Sequence, residues 1–140
     1  SMVGGRWQFL GGSLRQAGAG HSLSLTTGFG ANQHEGEGDP KYEFSMSAFD
    51  LSIIHGFWLT PWWQIFDSFS YSSYSIDGEL KGSVSGKVTQ SAKQKTLAVG
   101  TAIVFAPLKL KVEMAYSQLD WSKSKDATYT STGMSLTYFY

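Results

Sequence analysis

The chain contains no cysteine and only three prolines among its 140 residues. Without cysteine it can form no disulfide, no thiolate metal site and no cysteine nucleophile. Charge is also scarce, and the 11 basic side chains are balanced by 11 acidic ones. Nucleic-acid binding depends on an excess of Lys and Arg, so we expect no nucleic-acid partner. No run of about 18 apolar residues occurs, which excludes a transmembrane helix but leaves membrane-spanning strands open.

What the sequence has in abundance is typical of strands joined by turns. There are 16 glycines together with many Ser, Thr and Tyr residues. The length predicts a single domain. We interpret Ser1 and Met2 as a remnant of cloning and residues 3–140 as one domain. Because no charged and then apolar leader precedes Val3, we expect a mature form from which an export signal has been removed.

Apolar and polar residues alternate with a period of two over most of the chain. From Leu108 to Ser117, large apolar side chains alternate with charged or small ones, and residues 23–29, 97–105 and 134–140 behave in the same way. Between Tyr42 and Ile53 the apolar phase slips by one residue. The slip predicts a β-bulge near residues 47–48, which would place Glu43 and Asp50 on the same polar face.

The polar faces of these strands are dominated by Gly, Ala, Ser and Thr with single charges, whereas a water-exposed face is normally rich in Lys and Glu. We therefore expect the polar faces to line a narrow barrel lumen and the apolar faces to meet lipid. A β-protein spans a bilayer only as a closed barrel. The predicted lumen charge network consists of Arg6, Glu43, Asp50, Lys109, Lys111 and Glu113.

Large aromatic residues lie near the expected strand ends, where headgroup-level girdles are found in membrane barrels. They are Trp7, Phe57, Trp58, Trp62, Trp63, Tyr116, Trp121, Tyr138 and Tyr140.

Seven segments have strand character, and they cover about residues 6–14, 21–31, 41–55, 63–76, 91–105, 108–120 and 127–140. Single-chain bacterial barrels usually have an even number of strands. Either Asp77-Gly78 is a hairpin turn before an eighth strand, or residues 77–90 form a long outer loop and the barrel is completed in another way. The predicted fold is an all-β, transmembrane, antiparallel up-and-down β-barrel of about eight strands, seven of them clear in the sequence.

The last nine residues resemble the C-terminal strand by which outer-membrane β-barrel proteins are recognised for assembly. In that pattern a polar residue and a glycine precede spaced hydrophobic residues and a terminal aromatic, here Thr132, Gly133, Leu136, Tyr138 and Tyr140. The commonest terminal residue of the class is Phe rather than Tyr. The resemblance covers the class and no particular member, and it implies insertion into the outer membrane of a Gram-negative bacterium by a dedicated assembly machinery.

The histidines and carboxylates of the chain do not match the spacing of a known catalytic or metal-binding motif. His21, His34 and His55 lack metal-ligand spacing, and the polar loop around His34 lacks the spacing of an EF-hand. Strand alternation separates His55 from Asp50 and Ser52, which argues against a catalytic triad. We therefore predict no catalytic residues, no metal and no cofactor. Lysines near the outer loops are predicted to contact lipopolysaccharide phosphates: Lys81, Lys87, Lys93, Lys95, Lys123 and Lys125.

The sequence thus leads us to expect an outer-membrane barrel with a structural or surface-interaction role, in contact with the bilayer, lipopolysaccharide or an external partner, and with no wide pore of its own. The main alternative is a pore or translocator completed by oligomerisation or by further strands of a longer chain. A lipid A-modifying enzyme and a soluble lipocalin-like binding barrel are further alternatives, because a fold alone does not determine function.

Overall fold

A computed structural model describes residues 2–10 and 20–138; Ser1, residues 11–19 and residues 139–140 lie outside the described part. All regular structure in the described part is β-strand. The strands are β1 (Met2–Leu10), β2 (Gly20–Gly36), β3 (Lys41–Thr60), β4 (Trp63–Lys81), β5 (Gly86–Phe105), β6 (Leu108–Trp121) and β7 (Ala127–Tyr138). No helix long and apolar enough to cross a membrane occurs within these described ranges.

The seven strands form one antiparallel sheet in chain order, each strand pairing with the next. This confirms the all-β, up-and-down, antiparallel part of the prediction. Over the described residues β1 and β7 each pair on one side only, so the sheet is not closed.

The predicted eighth strand is not formed, and the predicted long loop from residue 77 to residue 90 is wrong as well. β4 runs through Asp77 and Gly78, which pair with Thr89 and Val88 of β5. The two strands therefore extend to Lys81 and Gly86, and only residues 82–85 form the turn. The prediction failed because residues 77–90 include few large apolar side chains. Their backbones nevertheless continue the hydrogen-bonded pairing of β4 with β5.

Strand connections differ between the two ends of the sheet. Residues 61–62 and 106–107 form two-residue turns at one end, which we call the lower end. Residues 37–40, 82–85 and 122–126 connect the strands at the other end, which we call the upper end.

The sheet is curled, with its polar face on the concave side. Side chains from β1, β2, β3, β4 and β6 line one common cavity, among them Arg6, Ser24, Trp58, Gln64 and Lys109. The opposite, convex face carries exposed apolar side chains such as Met114 and Leu136, which are 57% and 65% exposed. In the lower part of the sheet, the polar face is therefore concave and the apolar face convex, as the alternation predicts; the upper part differs and is described below.

The predicted bulge at residues 47–48 is wrong. β3 pairs without interruption with β2 from Tyr42 to Trp58, and the register shift towards β4 comes only between Trp58 and Thr60. Strict alternation therefore places Glu43 on the convex face, whereas Asp50 lies on the concave face. The slip in the apolar pattern has another cause, which is that the apolar face itself changes side along the strand.

Candidate functional site

A continuous apolar surface covers the convex face in the lower part of the sheet. We call it the apolar belt. Its residues are Val3, Trp7, Leu10, Leu23, Leu25, Phe29, Phe49, Leu51, Ile53, Phe57, Trp63, Ile65, Phe69, Tyr71, Leu97, Val99, Ile103, Phe105, Leu108, Leu110, Val112, Met114, Tyr116, Met134, Leu136 and Tyr138.

The belt has a constant height on the four strands where both of its borders are clear. It covers residues 49–57 of β3, 63–71 of β4, 97–105 of β5 and 108–116 of β6, which is nine residues on each strand. A tilted strand of about 9–11 residues crosses the hydrocarbon core of a bilayer. The belt thus has the dimension of a bilayer core.

Aromatic side chains lie at both borders of the belt. Phe49, Tyr71 and Tyr116 lie at the upper border, while Trp63 and Phe105 lie at the lower one. The ring of Trp63 stacks on that of Trp62 with 6.2 Å between centroids, and its Nε1 donates to Oγ1 of Thr101 at 2.6 Å. Of the aromatic residues that were predicted to form a girdle, Trp63 and Tyr116 therefore lie at a border of the belt.

Three of the predicted girdle residues, Trp7, Trp58 and Trp121, are placed differently. Trp58 and Trp121 lie on the concave face, because they share register rows with Gln64 and Ala92. Trp7 lies within the belt, Phe57 lies at the lower border of the belt, and Tyr140 lies outside the described residues.

Above the belt the two faces exchange character, in a region that we call the upper sheet (residues 30–36, 41–48, 72–81 and 86–94). Here the concave face carries Tyr42, Phe44, Met46, Tyr74, Ile76, Leu80 and Val88. The convex face carries Gln33, Glu35, Glu43, Ser45, Ser47, Ser75, Asp77, Glu79, Lys87, Thr89 and Ser91. A polar convex face is the arrangement expected in water.

The concave face at the level of the belt is held by hydroxyl and carboxylate groups. Oδ2 of Asp50 accepts a hydrogen bond from Ser72 at 2.6 Å, and its Oδ1 accepts one from Ser52 at 3.2 Å. Oγ1 of Thr26 donates to the same Ser52 at 2.9 Å. Asp50 thereby joins the concave faces of β3 and β4, and it forms no ion pair with a cation of the described residues.

Below Asp50 lies a cavity of about 90 Å³ that is lined by three cations, Arg6, Lys109 and Lys111. We call it the cationic cavity. Its polar lining is completed by Gln8, Ser22, Ser24, Gln64 and Ser68. Nη2 of Arg6 donates to Ser24 at 2.9 Å, and Nζ of Lys111 lies 2.6 Å from Oε2 of Glu113 and 4.8 Å from the ring centroid of Phe66.

The six residues of the predicted lumen network are therefore brought together only in part. Arg6, Lys109, Lys111 and Glu113 gather at one level of the concave face, and Asp50 lies higher on the same face. Glu43 does not belong to the set. It lies on the convex face of the upper sheet, where its Oε2 is 3.6 Å from Nζ of Lys81.

The sequence analysis missed a cluster of two histidines and a carboxylate in the lower half of the apolar belt. Nδ1 of His55 is 2.9 Å from Oδ1 of Asp67, and Nδ1 of His21 is 3.0 Å from Nε2 of His55. The two imidazole rings stack with 5.3 Å between centroids. Only the register reveals the cluster, since it places His55 directly opposite Asp67. As predicted, His55 lies on the face opposite to that of Asp50 and Ser52.

The lysines predicted to contact lipopolysaccharide fall into two groups. Lys93 and Lys95 lie on the convex face beside the upper border of the belt, where Lys95 pairs in register with Tyr71. Lys81, Lys87, Lys123 and Lys125 lie at the upper end.

The upper end also contains its own ionic contacts. Nζ of Lys81 lies 3.1 Å from Oε2 of Glu79, and this contact, reinforced by Glu43, raises the pKa of Lys81. Oδ1 of Asp39 accepts the backbone N–H of Ser83 at 2.8 Å, which lowers the pKa of Asp39. The turns 37–40 and 82–85 are therefore tied together.

The predicted assembly signal lies in β7, apart from Tyr140, which falls outside the described residues. Leu136 and Tyr138 lie on the convex face opposite Leu110 and Leu108 of β6, while Gly133 faces Glu113 on the concave side. The outer edge of β7 has no neighbouring strand within the described ranges.

Within the described ranges no group of three or more His, Asp or Glu side chains is arranged to hold a metal ion. Comparisons of the chain with protein-family models, with curated proteins and with solved structures find no match.

Proposed function

We propose that the protein is an integral outer-membrane β-barrel protein whose upper sheet projects from the membrane and serves a structural or surface-interaction role. The observation that supports this proposal is the change of the apolar face from convex to concave at the upper border of the belt. A strand that passes from lipid into water requires such a change, because its outward side chains meet first acyl chains and then solvent.

Strand length supports a projecting region. β3 and β5 each contain 20 residues. At about 3.3 Å per residue and a tilt of about 45°, such a strand rises about 47 Å, well beyond a hydrocarbon core of about 30 Å. The remainder is the upper sheet, which presents hydroxyl and charged groups outward and aromatic groups inward. It is suited to contact an external partner.

The upper border of the belt is where lipid headgroups would lie. Lys93 and Lys95 are placed there, and as compact point charges they are suited to bind the phosphates of lipopolysaccharide. The short turns at residues 61–62 and 106–107 would then face the periplasm, in keeping with the short-turn side of known outer-membrane barrels.

The proposal also requires that the edges of the sheet be joined. Unpaired backbone groups are costly in hydrocarbon, so β1 and β7 must pair with each other or with further strands when the protein is in the membrane.

Because the chain has no cysteine, single-cysteine labelling tests the proposal directly. Leu97 and Thr89 form a matched pair, since both are exposed residues on the convex face of β5. Leu97 lies in the apolar belt and Thr89 in the upper sheet. In lipid vesicles we expect a membrane-impermeant maleimide to modify the Thr89→Cys variant quickly and the Leu97→Cys variant at least about tenfold more slowly.

The same two variants unfolded in urea provide the control, and there both cysteines should react equally fast. Equal rates in the folded protein would exclude lipid around the belt and would favour the soluble, lipocalin-like alternative. Slower migration of the protein on SDS gels after heating would give independent support for a closed membrane barrel.

A second candidate function is a pore or translocator formed when several copies or further strands complete the barrel. The open edges of β1 and β7 favour it, as does the polar cluster of His21, His55 and Asp67 in the belt, since polar groups facing lipid promote association. Discrete and sustained conductance steps in planar bilayers would support this candidate, and their absence at all protein concentrations would exclude it.

A further inference from the structure

Among the described residues, the cationic cavity is lined by more positive than negative charge. Three cations line it, and no carboxylate belongs to its lining among the described residues. Glu113, the nearest acidic group, is engaged with Lys111. Lys109 forms no ion pair with any described residue, and its charge is opposed by those of Arg6 and Lys111.

Like charges held close together on a partly dehydrated surface repel each other, and the repulsion grows as the local dielectric falls. An anion placed between them would turn this repulsion into attraction. Backbone placement keeps the cations together: Lys109 and Lys111 alternate on the concave face of β6, and Arg6 approaches from β1.

The lining also offers neutral donors beside the cations. Nε2 of Gln64 donates to Oγ of Ser22 at 2.9 Å, and Ser24 receives the hydrogen bond of Arg6. Amide and hydroxyl groups of this kind complete the coordination of tetrahedral oxyanions together with Arg and Lys. The cavity of about 90 Å³ has space for roughly six to nine waters at 10–15 Å³ each, and thus for one such ion.

From these observations we propose that the cationic cavity is a binding site for a phosphate-type oxyanion, held by Arg6, Lys109 and Lys111. Glu113 restrains the site, because it competes with the anion for Lys111. The proposal concerns the concave face alone and does not depend on the role proposed for the upper sheet.

Calorimetric titration of the purified protein in a phosphate-free maltoside detergent at low salt tests the site. One arm uses inorganic phosphate and the other uses lysophosphatidic acid, so that a soluble and a lipid-borne phosphate are distinguished. We expect saturable binding with one site in at least one arm, weakened about tenfold or more in the Lys109→Gln variant, because a hydrogen bond to a charged group is lost.

For the Glu113→Gln variant we expect the opposite effect on affinity. Removal of the carboxylate that competes for Lys111 should tighten anion binding several-fold. Lys109→Arg should retain binding, and Lys41→Gln, at the upper end of the convex face, should leave it unchanged. Far-UV circular dichroism identifies any variant that fails to fold. If Lys109→Gln does not fold, the retained binding expected of Lys109→Arg and the tighter binding expected of Glu113→Gln still test the proposal. Absence of binding in both arms, or equal affinity in Lys109→Gln and Lys41→Gln, would overturn the proposal.

Discussion

Nδ1 of His55 lies 2.9 Å from Oδ1 of Asp67 in the lower half of the apolar belt, with Leu23 and Val99 as their register neighbours. The side chains are 40% and 66% exposed, so in a membrane this pair would face acyl chains. A lone charge at that depth is costly, whereas a hydrogen-bonded pair is less so. The pair is therefore a direct probe of the environment of the belt.

The first prediction concerns this pair in lipid vesicles. His55→Leu should lower the free energy of unfolding by about 1–3 kcal/mol, because Asp67 loses its partner in hydrocarbon. The double variant His55→Leu/Asp67→Leu should recover that loss. Urea unfolding followed by tryptophan fluorescence measures both.

The control for the first prediction is Lys81→Leu, which breaks an ion pair in the upper sheet that is exposed to water. It should change the unfolding free energy little. If the double variant were no more stable than His55→Leu, hydrocarbon would not surround the pair.

The belt and the strand order were predictable because period-two alternation is a local signal within each strand. In this sheet each strand pairs with the next one along the chain, so the local signals add up to the whole arrangement. The side chains from Leu108 to Tyr116 were assigned to the correct faces, and the positions of β2 to β7 were found. The first strand was predicted at residues 6–14, whereas β1 covers Met2–Leu10 and residues 11–14 lie outside the described part. The prediction failed for the stretch from Tyr42 to Met46, which was assigned to the wrong face. A bulge was inferred at residues 47–48, whereas the apolar side chains change face along an uninterrupted strand. A one-dimensional pattern does not distinguish a slip of the backbone from a change of the apolar face along an uninterrupted strand.

The candidate sites depend on pairing between strands, and this explains the uneven outcome. Lys109, Lys111 and Glu113 lie on one strand, so their shared face followed from alternation alone. His55 and Asp67 meet only through the register of β3 and β4, which no local pattern specifies. The misplacement of Glu43 follows from the same false bulge.

A second prediction concerns Asp50, which accepts hydrogen bonds from Ser52 and Ser72 on the concave face. Asp50→Leu leaves two hydroxyl donors without their acceptor and should cost about 1–3 kcal/mol of stability. Asp50→Asn keeps one acceptor oxygen and should cost less. Asp77→Asn, on the convex face of the upper sheet, is the matched control and should be close to neutral; equal losses at both positions would contradict the role assigned to Asp50.

A third prediction concerns Gly100, where the backbone of β6 and the ring of Phe66 approach closely. A methyl group there would contact the carbonyl oxygen of Val112 and Cζ of Phe66, and it would lie 3.0 Å from Cα of Glu113. Gly100→Ala should destabilise the protein by about 1–3 kcal/mol, because backbone atoms cannot move aside cheaply. At Gly86 nothing lies within 4 Å of the added carbon, so Gly86→Ala should be tolerated, and heat-induced unfolding compares the two variants.

A fourth prediction concerns pH and the two turns joined by Asp39. The hydrogen bond from the backbone N–H of Ser83 lowers the pKa of Asp39 below its ordinary value of about 3.9. A carboxyl group whose pKa is depressed by folding stabilises the folded state above its unfolded pKa, and that contribution is lost as the pH falls through the folded pKa. The two turns should therefore stay joined at neutral pH and separate in acid, as the pH falls through the lowered pKa of Asp39.

Amide hydrogen exchange at Ser83 follows this separation. Protection should be high at pH 6 and should fall in acid beyond the change that the intrinsic exchange rate accounts for. Asp39→Asn should lower protection at pH 6 and abolish its extra pH dependence, since no ionisable acceptor remains. Gly82 has a φ of 143°, and a side chain there would contact Asp39. Gly82→Ala should therefore also lower the protection of the Ser83 amide, and it does so without altering any charge. A Ser83 amide protected equally in all three proteins would show that Asp39 does not hold the turns together.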